Sequence, residues 1–137
     1  MTHTTTRKMV LLVVFALGAT ACSKSGDTPT QVADKFYDAL ATGDLETVRK
    51  ESTPETATLI ETLVSKNGQD AFQVPEGRTA DGETISGDQA VVRYRNADGS
   101  EAAVPLVKLG GAWKVDFHTV IKAASQGNAG IPDPISE

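Results

Sequence analysis

The period of the apolar residues changes once along this chain, near residue 70, and that change restricts the fold more than any other feature. Upstream, apolar side chains recur at helical spacing. Val32, Phe36 and Leu40, with Ala33 and Tyr37 beside them, share one face of a segment that opens Thr28-Pro29-Thr30-Gln31. Thr28 can cap that helix, and Gln31 can complete a capping box with it. Pro29 suits the first turn, where a backbone N–H would have no helical partner anyway. Gly43 ends the helix. Asp44 caps a second, short one through about Glu51, with Leu45 and Val48 inward. Thr53-Pro54 repeats the cap-and-proline start for a third, which runs to about Lys66 before Asn67-Gly68 and turns Ala57, Ile60, Leu63 and Val64 inward.

Downstream the period is two. "RTADGETIS" reads as a first strand with a kink at Gly82. "QAVVRYR", 89 to 95, alternates Ala90, Val92 and Tyr94 against Val91, Arg93 and Arg95. "NADGS" is a hairpin turn. "EAAVPLVKL" is a third strand whose Pro105 suggests an edge or a bulge, because proline cannot donate to a ladder. Gly110-Gly111 turns the chain into "AWKVDFH". Alternation there puts Trp113, Val115 and Phe117 on one face and Lys114, Asp116 and His118 on the other. Residues 120–137, punctuated by Gly and Pro, read as a flexible tail. The pattern predicts an α+β fold: three amino-terminal helices packed on a curved antiparallel sheet of about four strands, spanning residues 29–119.

A different logic governs the first 28 residues. Arg7 and Lys8 precede the apolar run Met9–Leu17, and small residues follow up to Cys22, the single cysteine of the chain. A basic start, a short apolar run and small residues before a cut are the anatomy of a secretory signal. The run is far shorter than the ~20 residues a membrane-spanning helix needs. "LGATAC" resembles a bacterial lipobox, with Ala19 where such signals usually carry Leu. That resemblance implies cleavage between Ala21 and Cys22 and lipidation of Cys22. Residues 1–21 are then a lipoprotein signal peptide, and 22–28 are a lipidated cysteine with a polar tether. A lone cysteine cannot close an internal disulfide, which removes the other reason for an exported domain to keep one. Multiple acyl chains hold a protein at a bilayer where one chain binds only marginally. The expectation is a bacterial membrane-anchored lipoprotein. In a Gram-negative host, Ser23 in place of Asp after the cysteine points to the periplasmic face of the outer membrane.

Charge narrows the partners. Removing residues 1–21 takes away Arg7 and Lys8 and no acid, so the formal net charge of −5 becomes −7. An acidic chain without a Lys/Arg cluster is a poor nucleic-acid binder and lacks a basic patch for anionic lipid. Its membrane contact should be the anchor alone. No cofactor motif is present. Gly110-Gly111 precedes a strand, so it is no phosphate loop, and one cysteine with one mature histidine gives no metal set.

Two phrases resemble the nuclear transport factor 2-like superfamily. "TPTQVADKFYDALATGDLETV" is similar to its opening helix, Gly-Asp and second helix, and "VPLVKLGGAWKVDF" to its closing hairpin. Within it, the chain is most similar to small bacterial lipoproteins whose domain has no assigned function, sometimes labelled lumazine-binding-like. The resemblance covers roughly 28–119. It implies a cone-like sheet around a long helix, often with a pocket, in proteins that are variously enzymes, binders or dimers.

Candidate chemistry is sparse. His118 falls opposite Trp113, Val115 and Phe117 and should face away from the core. Asp34 and Asp38 share a helix face but not that of Phe36, which reads as a solvated acidic surface; Asp44 is the cap of the second helix. Arg93 and Arg95 should lie across the sheet surface and pair with Glu101 or its neighbours. The candidate pocket-lining residues are Phe36, Tyr37, Tyr94, Trp113 and Phe117, with the Tyr94 hydroxyl seeking a partner. No catalytic residue is assigned. The expected function is a lipid-anchored envelope module that binds a protein or small molecule without catalysis, with the sheet a candidate homodimer surface. The alternative is a small-molecule enzyme using the cone pocket.

Overall fold

The computed structural model describes residues 26–125. The expected signal segment, the expected Ala21–Cys22 cleavage point, Cys22 itself and the end of the expected tail lie outside the described residues. Three helices come first: α1 (Pro29–Thr42), α2 (Leu45–Glu51) and α3 (Pro54–Asn67). A 3₁₀ turn (Gln69–Ala71) and an irregular stretch lead into four strands, β1 (Thr79–Ser86), β2 (Gln89–Arg95), β3 (Glu101–Leu109) and β4 (Ala112–Val115), and a fourth helix, α4 (Phe117–Ser125), follows.

Local side chains set the helix ends. Thr28 Oγ1 accepts from the Gln31 N–H at 3.2 Å while Gln31 Oε1 accepts from the Thr28 N–H at 2.9 Å, the reciprocal capping box. Gly43 closes α1 in the left-handed region at φ +72°. A side chain there is excluded twice, since an added Cβ would sit 2.1 Å from the Gln69 amide nitrogen. Asp44 accepts from the Thr47 N–H to start α2, and Thr53 accepts from the Thr56 N–H to start α3.

The strands form one antiparallel meander in the order β1-β2-β3-β4. The register shifts between Ala80 and Gly82, a bulge that leaves Asp81 out of the pairing with β2. Pro105 lies inside the central strand β3, opposite Val91, rather than at an edge. Its carbonyl accepts from the Asp116 N–H at 2.9 Å, just past the last residue of β4. Its nitrogen faces that same side, where the ladder ends, so the missing donor costs nothing. At the β4 edge, Ser52 bridges Val115 in parallel and the Thr53 N–H donates to the Val115 carbonyl at 2.9 Å. The α2–α3 link thereby covers an edge that would otherwise be open.

One face of the sheet, carrying Ala90, Val92, Tyr94, Val104, Leu106, Trp113 and Val115, packs on Val32, Ala33, Phe36 and Ala39 of α1. Val48 and Ile60 close the same core. Phe36 is fully buried, and its ring meets that of Phe117 at 5.8 Å between centroids. These core side chains all fall between Val32 and Phe117, so a chain without the first 22 residues keeps every one of them.

The carboxyl-terminal part differs from expectation. The alternation read through His118 stops at Val115, and Phe117 begins a helix that takes in residues read as tail. Asp116 is the reason. Its carboxylate accepts from the Thr119 N–H at 3.3 Å and from the Thr119 hydroxyl at 2.6 Å, which is helix-capping geometry.

Phe36→Ala should cost about 3–5 kcal/mol in urea melts. With Phe117→Ala, the double mutant should lose about 0.5–1.5 kcal/mol less than the sum, the coupling of an aromatic pair. Strict additivity would mean that the two rings do not depend on each other.

Candidate functional site

An apolar cleft opens between the helices, away from the sheet. Tyr37 and Leu40 come from α1, one turn apart, and Leu59, Ile60 and Leu63 from α3. Residues 71–74 form another wall, and Phe117 and Ile121, four apart on α4, complete it. The cleft measures about 370 Å³, within the range of small-molecule sites. Gln73 and Tyr37 are the polar residues of its lining; no Asp, Glu, His, Lys or Arg lines it. Ile121 is 47 % exposed at the rim.

Behind Tyr37 lies a polar network. The Tyr37 ring meets the Tyr94 ring edge-on at 5.5 Å, and the Arg78 guanidinium sits over the Tyr37 ring at 4.8 Å. Arg78 pairs with Asp38 at 2.8 Å although its side chain is only 15 % exposed. Its Nε is buried without a partner. The Tyr94 hydroxyl donates to Asp34 Oδ1 at 2.7 Å. Burial raises the pKa of both tyrosines. For Tyr94 the bond to Asp34 adds to the rise, and for Tyr37 the Arg78 charge partly opposes it. Both therefore stay neutral hydroxyls, suited to holding structure and unsuited to acting as bases near neutral pH.

The expected lining residues divide. Tyr37 and Phe117 line the cleft. Phe36, Tyr94 and Trp113 do not: all three are buried in the core, where the sheet face and α1 close on each other and leave no hollow between them. Of Asp34 and Asp38, read as a solvated face, Asp38 is exposed and accepts from Arg78 at the surface, while Asp34 is half-buried and accepts from the Tyr94 hydroxyl. Asp44 is a cap. Arg95 pairs with Asp81 at 2.8 Å and more loosely with Glu101 at 3.4 Å. His118 stays out of the cleft and rims a shallow neighbouring depression, with its backbone N–H donating to Thr56 Oγ1 at 3.2 Å. Phe72, Val74, Arg78 and Ile121 escaped the sequence reading. The apolar alternation in "AFQV" was the available signal for the first two. Among the described residues no group of three or more His, Cys, Asp or Glu could hold a metal, and no helix is long and apolar enough to cross a membrane.

No protein-family model and no curated protein matches the sequence. Among solved structures, the chain is similar to one from Campylobacter jejuni described as a "putative NTF2-like transpeptidase". The identity is 20 % and the TM-score 0.46, over 65 % of this chain and 97 % of that one. The class of the fold rests on its own architecture: helices on one face of a four-stranded antiparallel meander, α+β.

The raised tyrosine pKa values make a pH prediction. Both groups ionise near 10 when unfolded and higher when folded. Their contribution to stability is full below pH 10 and is lost as the pH rises beyond it. Absorbance at 295 nm should show less tyrosinate near pH 10 in the folded protein than in the urea-unfolded protein, and the later part of the rise should accompany loss of circular dichroism. A simple titration centred on 10 in folded protein would contradict the network.

Proposed function

We propose that this chain is a lipid-anchored domain of the bacterial envelope that binds an apolar ligand without transforming it. The lipobox-like "LGATAC" motivates the anchor, and the tether from Ser23 to Thr28 would hold the domain within roughly 20 Å of the bilayer. The observation that carries the binding role is the composition of the cleft: apolar walls with no ionisable acid or base at neutral pH. General acid–base catalysis needs such a group within hydrogen-bond reach of the substrate. Burial of apolar ligand surface, at about 25 cal/mol per Å², supplies the affinity.

Two measurements test the two halves. A clickable fatty acid fed to cells should label the wild-type chain and not Cys22→Ser; equal labelling would remove the anchor. For the cleft, the chain from Ser23 onward should brighten N-phenyl-1-naphthylamine, an uncharged apolar fluorophore. Ala71→Phe, which fills the cleft from its wall, should weaken that binding about tenfold or more without lowering the melting temperature. An unaltered titration in a folded Ala71→Phe protein would place the ligand elsewhere.

A further inference from the structure

The apolar cleft does not end in solvent alone. A second, shallower depression adjoins it, lined by Pro54, Glu55, Thr58, Leu59, Thr62 and His118. Leu59 lines both hollows, and Phe117 of the first is followed directly by His118 of the second. The two therefore meet across one leucine side chain and one helix start. A ligand long enough to fill the first would bring its end over the second.

The chemistry of that end is restricted. Thr58 Oγ1 donates to the Pro54 carbonyl at 2.9 Å, and Thr62 Oγ1 donates to the Thr58 carbonyl at 2.7 Å. Both hydroxyl protons are committed, so the threonines offer a ligand lone pairs only. Glu55 is exposed and makes no ion pair among the described residues. No lysine or arginine lines either hollow. The depression thus carries one carboxylate without an ion-pair partner, on the first turn of α3, threonine oxygens that can only accept, and the His118 imidazole, which can donate as well as accept, beside a cleft with room for about a dozen water-sized groups.

We infer that the two hollows form one site for a cationic amphiphile: a single aliphatic chain of about a dozen carbons in the cleft, and an ammonium-type head against Glu55. An anionic head would meet the carboxylate and find no donor among the threonines, with the His118 imidazole as the one side-chain donor lining the depression. The inference rests on the cleft being a binding site, and its test separates the two.

The probes are dodecylammonium and dodecanoate, identical in tail and opposite in head charge. Each displaces N-phenyl-1-naphthylamine from the chain starting at Ser23, below its micelle concentration and in low salt at pH 8. The ammonium should displace the dye at roughly three- to five-fold lower concentration than the carboxylate, the scale of an exposed ion pair. In Glu55→Gln the ratio should fall to about one. Glu46→Gln, an equal change of net charge on α2 outside both hollows, should keep the ratio. Equal displacement by both probes, a preference for dodecanoate, or a Glu46→Gln effect matching that of Glu55→Gln would each overturn the cationic head while leaving the apolar cleft standing. Failure of the dye to bind the wild-type chain would overturn both.

Discussion

Everything in this domain depends on one face of α1 being buried by strands that lie more than fifty residues away in sequence. A helix of this length is marginal on its own in water. A four-stranded meander with one apolar face is equally unable to leave that face wet. Val32, Ala33, Phe36 and Ala39 meet Val92, Tyr94, Leu106 and Val115 in a shared core. Phe36 is the largest of these helix residues and is fully enclosed. Each layer buries its apolar face on the other, so the two are expected to form together.

The rest of the architecture follows from that contact. Once α1 lies on the sheet, the short α2 and its Ser52–Thr53 link run beside β4 and cover its edge. That link fixes the start of α3. On the other side of β4, the Asp116 cap turns the chain at once into α4, so that Phe117 returns to Phe36 instead of continuing a strand. The cleft is what remains between α1, α3, α4 and residues 71–74. It lies among the helices because the space between helix and sheet is already filled. The Tyr37–Arg78–Asp38 contacts bind the beginning of β1 to the back of α1 and steady the tyrosine that forms one wall.

The three amino-terminal helices were legible because each carries its own start signal, a capping threonine or aspartate next to a proline or an inward apolar residue. The alternation in β2 was equally plain. Two readings failed for the same reason: a short-range signal was outweighed by another a few residues on. Trp113, Val115 and Phe117 alternate well enough to suggest a strand, yet Asp116 and Thr119 form a cap that ends it. Pro105 signals an edge, but it stands where its neighbour strand has just stopped. The site was harder to see. Aromatic residues suggested a hollow lined by Phe36, Tyr94 and Trp113, but apolar character alone does not distinguish a filled core from a cleft. Arg78 gave no sign, because its partners Tyr37 and Asp38 lie about forty residues earlier and only the folded chain brings them together.

Native-state hydrogen exchange reads the central dependence directly, because it reports the free energy at which each segment opens. Amides around Phe36 in α1 and around Val92 and Val104 in the sheet should exchange at one common free energy, equal to that of global unfolding and equally sensitive to urea. The amides of α4 should open at lower cost. Exchange of the α1 amides well below the free energy of the sheet would show that the strands stand without the helix, and would contradict this account.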